Sequence, residues 1–415
     1  MAVSQAREPS PLLSVAALLV SVAFLITGNG LQMMLLPIRG GAEGFSAVQL
    51  GFMGSGYYLG FVLGCLGTPV LIRRAGHVRT FAALVSIASA VALFYPMLVD
   101  AWLWALLRLI TGFCLAGLYL IVESWINDRA TRETRGALIS IYVAINYIVT
   151  ALGQMTVTLF EPSSFALFSV ASVLVSIAAV PLALSRSPEP KPPELVRFRP
   201  LYLLGISPAG TVSIFLIGLA CGAFWSLGPV LANVRSGNVT SAALFMSAAV
   251  LGGALAQWPI GRLSDSLDRR YVLIGVTGAA AAACLVISML PDLGGPWLVF
   301  AFIFGATLLP SYAVASAHVF DFAERAHYVE VSAGLLLLYG LGSTIGPALA
   351  SFGMQWFGPD ALLGFIAIVQ LVIVAYVALR MTRRKGLSEA DKQSFDLVAT
   401  APVATAGTAP DEGPA

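Results

Sequence analysis

The sequence predicts an all-α polytopic membrane protein, with twelve transmembrane helices in two halves of six. Three observations predict it. Of 415 residues, 58% are hydrophobic and 11% charged, less than half the charged share of a soluble domain. The apolar residues gather into twelve runs, each near the ~20 residues that a bilayer span needs. The basic residues crowd every second connection, as they do in helical membrane proteins.

With 23 basic and 21 acidic side chains, no soluble fold of this length covers its surface. A soluble enzyme, a secreted disulfide scaffold and a nucleic-acid binder are excluded on that ground. Mean hydropathy is +0.87, and 40 residues are glycine. Cys65, Cys114, Cys221 and Cys284 each stand alone in an apolar run. With no CxxC pair they read as small buried residues rather than metal ligands.

The spans are expected at 12–36, 48–72, 80–99, 102–123, 136–158, 164–184, 209–232, 240–262, 271–290, 297–320, 330–356 and 361–380. The runs are continuous, not alternating, so they are helices rather than barrel strands. The first run is too long for a signal peptide and lacks a small-residue cleavage site, so it is expected to be retained. Polar punctuation separates the runs: Arg73-Arg74, Asp100, the stretch 127–135, Glu161-Pro162, the stretch 292–296 and Gly358-Pro359-Asp360. Residues 185–208 are rich in proline and mixed charge, a linker composition. The expected organisation is therefore an N-terminal segment 1–11, a first half 12–184, a linker 185–208, a second half 209–380 and a largely disordered tail 381–415.

Orientation follows from the basic residues. With the N-terminus inside, twenty of the 23 fall on inside segments, and only Arg39 and Arg235 outside. Arg108 lies within a span. Both termini are then cytoplasmic. Trp102, Trp104, Trp297 and Trp356 are expected at outer ends and Trp125 at an inner end, as interfacial anchors. Trp225 and Trp258 fall within spans and are candidates for an interior lining.

The halves carry a weak repeat. The run 261–270, GRLSDSLDRR, follows the eighth span, and 69–79, PVLIRRAGHVR, follows the second. Both are short basic connections, as a six-plus-six repeat leaves them. The first of these runs resembles the loop signature of the major facilitator superfamily, G-x-x-x-D-x-x-(G/D)-R-(R/K). Arg108 and Gly112 resemble that superfamily's R-x-x-x-G motif, and Arg135-Gly136 is also usual there. Further stretches resemble its YcaD-type branch: Leu36-Pro37 with 43–46, Val122-Glu123-Ser124, Gly153-Gln154, 257–262, and Gly342-Ser343 with Gly346-Pro347. The resemblance covers roughly residues 12–380. It implies the major facilitator fold and a transporter without a cofactor. The implied partners are a small-molecule solute, protons and the lipid bilayer, with no nucleic acid, and the expected state is a monomer. The first loop departs from the pattern, having Pro69 and Arg73 where glycine and aspartate are usual. The fifth span lacks the glycine-proline pattern associated with antiporters, so antiport is not inferred.

Arg108 is the sharpest single residue, because arginine at the bilayer centre costs about 2.5–3.5 kcal/mol. It either snorkels or pairs structurally, or it binds solute or takes part in coupling; the resemblance favours the second. Glu123 lies 15 residues further along, about 22 Å down the same helix, so the two do not pair directly. It is read either as the missing acid of a cytoplasmic latch with Arg73, Arg74 and Arg135, or as a proton carrier. Gly261, Asp265, Asp268, Arg269 and Arg270 form the matching latch of the second half, against a bland reading as a solvated basic loop. Polar stripes supply the cavity candidates: Asn29 and Gln32; Arg108, Gly112, Leu115 and Tyr119; Tyr142, Asn146, Thr150 and Gly153; Tyr312 and Ser316; Tyr339 and Ser343; and Trp225. Their bland reading is interhelical hydrogen bonding, worth about 0.6 kcal/mol each. His318 and His327 read as structural or solvated.

No phosphate loop, zinc-protease motif or serine-hydrolase motif is present in the sequence. The expected function is secondary transport of a small organic solute by alternating access, proton-coupled. An uncoupled facilitator, or a non-transporting receptor or scaffold with the same fold, are the alternatives. Twenty arginines against three lysines fit a GC-rich bacterial genome, and hence the bacterial inner membrane, a plasma membrane.

Overall fold

The computed structural model describes residues 11–129, 135–184, 190, 199–290, 295–324 and 327–383. Among the described residues, twelve helices are long and apolar enough to span a bilayer. They are α1 Ala16–Ala42, α2 Ala47–Ala75, α3 His77–Met97, α4 Ala101–Asp128, α5 Ser140–Leu159, α6 Phe165–Ala183, α7 Pro208–Ser236, α8 Val239–Ser266, α9 Arg269–Met289, α10 Gly295–Phe320, α11 Tyr328–Phe357 and α12 Ala361–Arg383. The expected spans match them one for one. Most of the linker expected at 185–208 and nearly all of the tail lie outside the described residues; a short helix, Pro200–Ile206, leads into α7.

Several ends differ from expectation for local reasons. The run 261–270 was expected as a loop, but α8 continues through Ser266, leaving only Leu267-Asp268 between α8 and α9. Nothing before Leu267 breaks the helix. Asp268 then caps α9, its side chain accepting from the Arg270 N–H at 3.0 Å, as an N-cap aspartate does. In the first half Gly76 alone separates α2 from α3, at φ 82°, a backbone that glycine adopts without cost. α10 is interrupted between Leu308 and Ser311, where Pro310 lacks an N–H.

The repeat is far clearer in space than in sequence. α2 crosses α4 where a side chain on Gly60 would meet the Leu109 carbonyl, and one on Gly112 the Tyr57 carbonyl. In the second half Gly252 faces Phe302 and Gly305 faces Ala249. α1 and α5 cross at Gly30 and Gly153, and α7 and α11 at Gly222 and Gly346. Small residues let membrane helices approach this closely.

The side where α1 begins and α12 ends is called the terminal face; the other is the far face. Between the halves, Gly51 on α2 abuts Ser351 and Pro347 on α11, and Gly54 abuts Ser226 on α7. Phe52 and Phe352 meet edge-on at 6.5 Å, and Ser247 on α8 donates to the Ala151 carbonyl on α5 at 3.4 Å. All of these sit in the far-face portions of their helices; Val62 against Gly340 lies at mid-depth. The apolar core divides accordingly. One cluster joins the second half to the far-face portion of the first, through Leu31–Leu36, Met53, Tyr95, Trp104 and Phe168. The terminal-face portion of the first half has a cluster of its own, with Val22, Ile72, Phe81, Leu118 and Trp125.

The tryptophans correct the interfacial expectation in part. Trp102 and Trp356 are exposed, but Trp104, Trp125 and Trp297 are buried. Trp104 Nε1 donates to the Leu98 carbonyl at 2.9 Å, the partner that a buried indole N–H needs, and Trp297 stacks on Phe245 at 4.2 Å. Trp258 is exposed rather than interior, with the Arg262 guanidinium 4.0 Å over its ring. The two arginines expected outside, Arg39 and Arg235, are fasteners at the far face. Arg39 pairs with Glu43 and donates to the Pro162 carbonyl at 3.4 Å. Arg235 pairs with Asp360 at 3.2 Å and donates to the Ile287 carbonyl at 2.7 Å.

Candidate functional site

Arg108 does not reach the surface; it is 3% exposed, which removes the snorkelling reading. Its Nη2 donates to Met33 Sδ on α1 at 3.0 Å, and its guanidinium lies 4.4 Å over the ring of Tyr57 on α2. The Tyr57 hydroxyl reaches Asn29 Oδ1 at 3.5 Å. Asn29, Gln32 and Met33 share one face of α1 by their spacing. Nearby, the Tyr95 and Thr111 hydroxyls meet at 3.3 Å. A thioether is a weak acceptor. A cation–π contact returns about 2 kcal/mol or more when desolvated, comparable with the cost of about 2.5–3.5 kcal/mol for arginine at the bilayer centre. Neither contact is an anion, so among the described residues this cation has no counter-charge.

Glu123 is also buried, and Tyr142 donates to its Oε1 at 3.0 Å. Asn146 donates back to the Tyr142 carbonyl at 3.1 Å. Arg73 and Arg74 are exposed at the end of α2, and no ion pair among the described residues joins either to Glu123. The side chain of Arg135 lies outside the described residues. Aromatic contacts connect the two polar centres: Tyr57 to Phe61 at 6.4 Å, then Phe61 to Tyr119 at 6.4 Å, one helical turn before Glu123. Other members of the expected stripes have packing roles. Gly112 lies in the α2 crossing, and Thr150 and Gly153 in the α1 crossing.

In the second half Tyr312 and Tyr339 meet edge-on at 5.1 Å, and the Ser343 hydroxyl donates to the Gly218 carbonyl at 3.2 Å. Cys221 on α7 lies near Tyr339. Tyr58 on α2 and Tyr147 on α5 come within electrostatic reach of the same cysteine. Tyrosines from both halves thus converge at mid-depth. Trp225 is partly buried on the same helix as Cys221, beside Phe224 at 5.6 Å.

At the terminal face, Arg269 is the centre of an ion network. Its Nε donates to Asp321 Oδ2 at 2.8 Å, its Nη1 to Ser264 Oγ at 3.2 Å, and its Nη2 pairs with Asp265 at 3.3 Å. Arg270 pairs with Asp268 at 2.6 Å. Burial alone would raise the Asp268 carboxyl, but the Arg270 side-chain and backbone hydrogen bonds outweigh it and hold the group below its usual range. Gly261 is buried in α8. His318 is buried beside Arg270 and Arg380, while His327 is partly exposed near Glu324 at 3.5 Å.

Sequence reasoning missed Met33, Tyr57, Tyr58, Tyr147, Cys221 and Asp321. Tyr57 and Tyr58 stand seven residues beyond Leu50-Gly51, on a span whose glycines drew attention to packing instead. Asp321 is far from the 261–270 motif in sequence, so spacing gives no sign of the pairing.

A family model described as Major Facilitator Superfamily matches residues 18–213 and 210–409. An uncharacterized MFS-type transporter of Enterobacter sp. (strain 638) is 28% identical over 386 residues, covering 91% of this chain and 96% of that protein. The uncharacterized MFS-type transporter YcaD of Escherichia coli (strain K12) is 27% identical over 372 residues, covering 88% and 94%. Among solved structures, a mutant of the nucleoside transporter NupG superposes with a TM-score of 0.77 at 12% identity, covering 88% of this chain and 99% of that one. A bacterial homolog of the human lysosomal transporter Spinster, inward-facing and occupied, superposes with a TM-score of 0.72 at 16% identity, covering 93% and 99%. At these identities the solved structures speak for the fold alone.

Proposed function

The chain belongs to the Major Facilitator Superfamily, and we propose that it moves a small organic solute across the membrane by alternating access, coupled to protons. The observation that carries the proposal is the division of the apolar core. The halves share one core toward the far face and separate toward the terminal face. A seam of small residues, with Gly51, Gly54, Ser226 and Ser351 at its far-face end, is one that two rigid halves can close and reopen by rocking. The charge count supports placing the terminal face in the cytoplasm, so the proposed site would open inward. The membrane proposed is the bacterial inner membrane, and the working unit a monomer.

The proposed solute site lies at mid-depth, where Arg108, Asn29, Tyr57, Tyr58, Tyr147, Tyr312 and Tyr339 converge from both halves. Glu123 is proposed as the proton-carrying group. It is a buried carboxyl bonded to a tyrosine hydroxyl, in a chain whose spans hold few acids. Flux into proteoliposomes, with and without an imposed pH gradient, tests both parts. Gradient-driven accumulation supports coupling. Equal flux in both conditions leaves a facilitator, and bound solute that never crosses would sink the transport reading.

A further inference from the structure

The charge balance around Arg108 identifies the chemistry of the solute. The guanidinium is buried, and its Nη1 has no hydrogen-bond acceptor. Its contacts among the described residues, the Met33 sulfur and the Tyr57 ring, carry no charge. The surrounding spans cannot supply one: α1, α2, α3, α5 and α7 contain no aspartate or glutamate. On α4 and its cap the acids are Asp100, Glu123 and Asp128. Asp100, the nearest, is about 12 Å along the helix axis, exposed and engaged with the Trp102 and Leu103 N–H groups. Glu123, about 22 Å away, is engaged with Tyr142. A buried cation without a counter-charge is costly, and an enclosed donor without an acceptor adds to the cost.

We infer that the solute carries a carboxylate, and that this carboxylate is the missing partner of Arg108. The inference rests on the reading of this site as the solute site. Geometry selects a planar two-oxygen anion. With Tyr57 covering one face of the guanidinium, a ligand meets it edge-on, where its N–H groups point in a fork matched to a carboxylate. One oxygen takes the unused Nη1, and the other displaces the weakly accepting Met33 sulfur from Nη2. The Tyr57 hydroxyl and Asn29 Oδ1, 3.5 Å apart, are assigned to a neighbouring polar group of the solute. Tyr58 and Phe61, whose rings lie 5.3 and 6.4 Å from that of Tyr57, are assigned to its body.

Thermal unfolding of the purified full-length protein tests this with acid and amide pairs of equal shape: acetate against acetamide, and benzoate against benzamide, with chloride as the inorganic control. Acetate is small enough to enter any site that accepts a carboxylate. At saturating acid the midpoint is expected to rise by roughly 2 °C or more, with no rise for either amide or for chloride. Arg108→Gln should abolish the acid-specific rise, and Arg108→Lys should weaken it about tenfold in apparent affinity, since lysine keeps the charge but loses the fork. Both variants are first compared without ligand, and Met289→Leu, at an exposed position away from the site, serves as a folded reference that retains the acid preference. Equal responses to acid and amide, an equal response to chloride, no response to either acid, or an unchanged response in Arg108→Gln would each overturn the inference. These outcomes concern binding alone. Failure of flux with acid binding intact would instead count against transport.

Discussion

The Arg269 network offers a prediction in which structure and sequence motif rank the residues differently. The loop motif highlights Asp265, yet in the structure Asp265 is the exposed partner. Its side chain is 39% exposed and 3.3 Å from Arg269, whereas that of Asp321 is 4% exposed and 2.8 Å away. The Arg269 side chain is itself 1% exposed. Removing one member of a buried pair strands the other and costs about 3–5 kcal/mol. Asp265 remains in reach and returns part of this, about 0–1 kcal/mol for a solvent-screened pair. Asp321→Asn is therefore expected to cost about 3 kcal/mol, roughly a hundredfold in the folded ratio. Asp265→Asn should cost less than about 1 kcal/mol. Replacing both buried partners together, Arg269→Met with Asp321→Leu, should recover most of the loss, because the stranded charge is gone. Thermal unfolding of the four proteins in one detergent measures the order. A cost for Asp265→Asn equal to or above that for Asp321→Asn would refute the reasoning.

Four further outcomes are expected. Gly51→Val places a side chain against Ser351 and the Pro347 carbonyl, so the far-face seam should fail to close; a cysteine at 351 should then react with an impermeant maleimide that spares it in the parent. Glu123→Gln keeps an acceptor for Tyr142 but carries no exchangeable charge; it should abolish gradient-driven flux and spare counterflow, and retained gradient-driven flux would remove Glu123 from coupling. Asp268 is held below its usual range by Arg270, so its stabilising contribution is present above the ordinary carboxylate value and is lost as pH falls through the lowered one; Asp268→Asn should flatten that acid limb of the stability profile. Reporter fusions after residues 190 and 385 should read cytoplasmic and one at 296 external, and an external reading at 190 would break the division into halves.

The twelve spans were legible because the bilayer imposes its demand locally: ~20 apolar residues, with the backbone satisfied within each helix. Charge placement was legible for the same reason, since basic residues flank the runs they orient. The family resemblance was carried by short motifs, Arg108 with Gly112 and the 261–270 run, and the family match agrees with it. The sequence also marked Arg108 as exceptional, because a charge in an apolar run needs no neighbour to stand out. It did not say what surrounds that charge. Tyr57 and Met33 come from other helices and look like ordinary apolar or aromatic residues within them.

The glycines show the same division. Their number announced close packing, but only the crossings show that Gly112 and Gly153 serve helix contacts while Gly51 and Gly54 serve the seam between halves. Asp321 pairs with Arg269 from 52 residues away, across a separation that no motif spacing encodes. The sequence by itself determined the number of helices, their order and the places where charge is tolerated, because each answers to the membrane along one stretch of chain. Which polar groups meet, which arginine lacks a partner and which portion of the seam is closed were decided by tertiary structure alone, because they depend on distances between helices that the chain order leaves free.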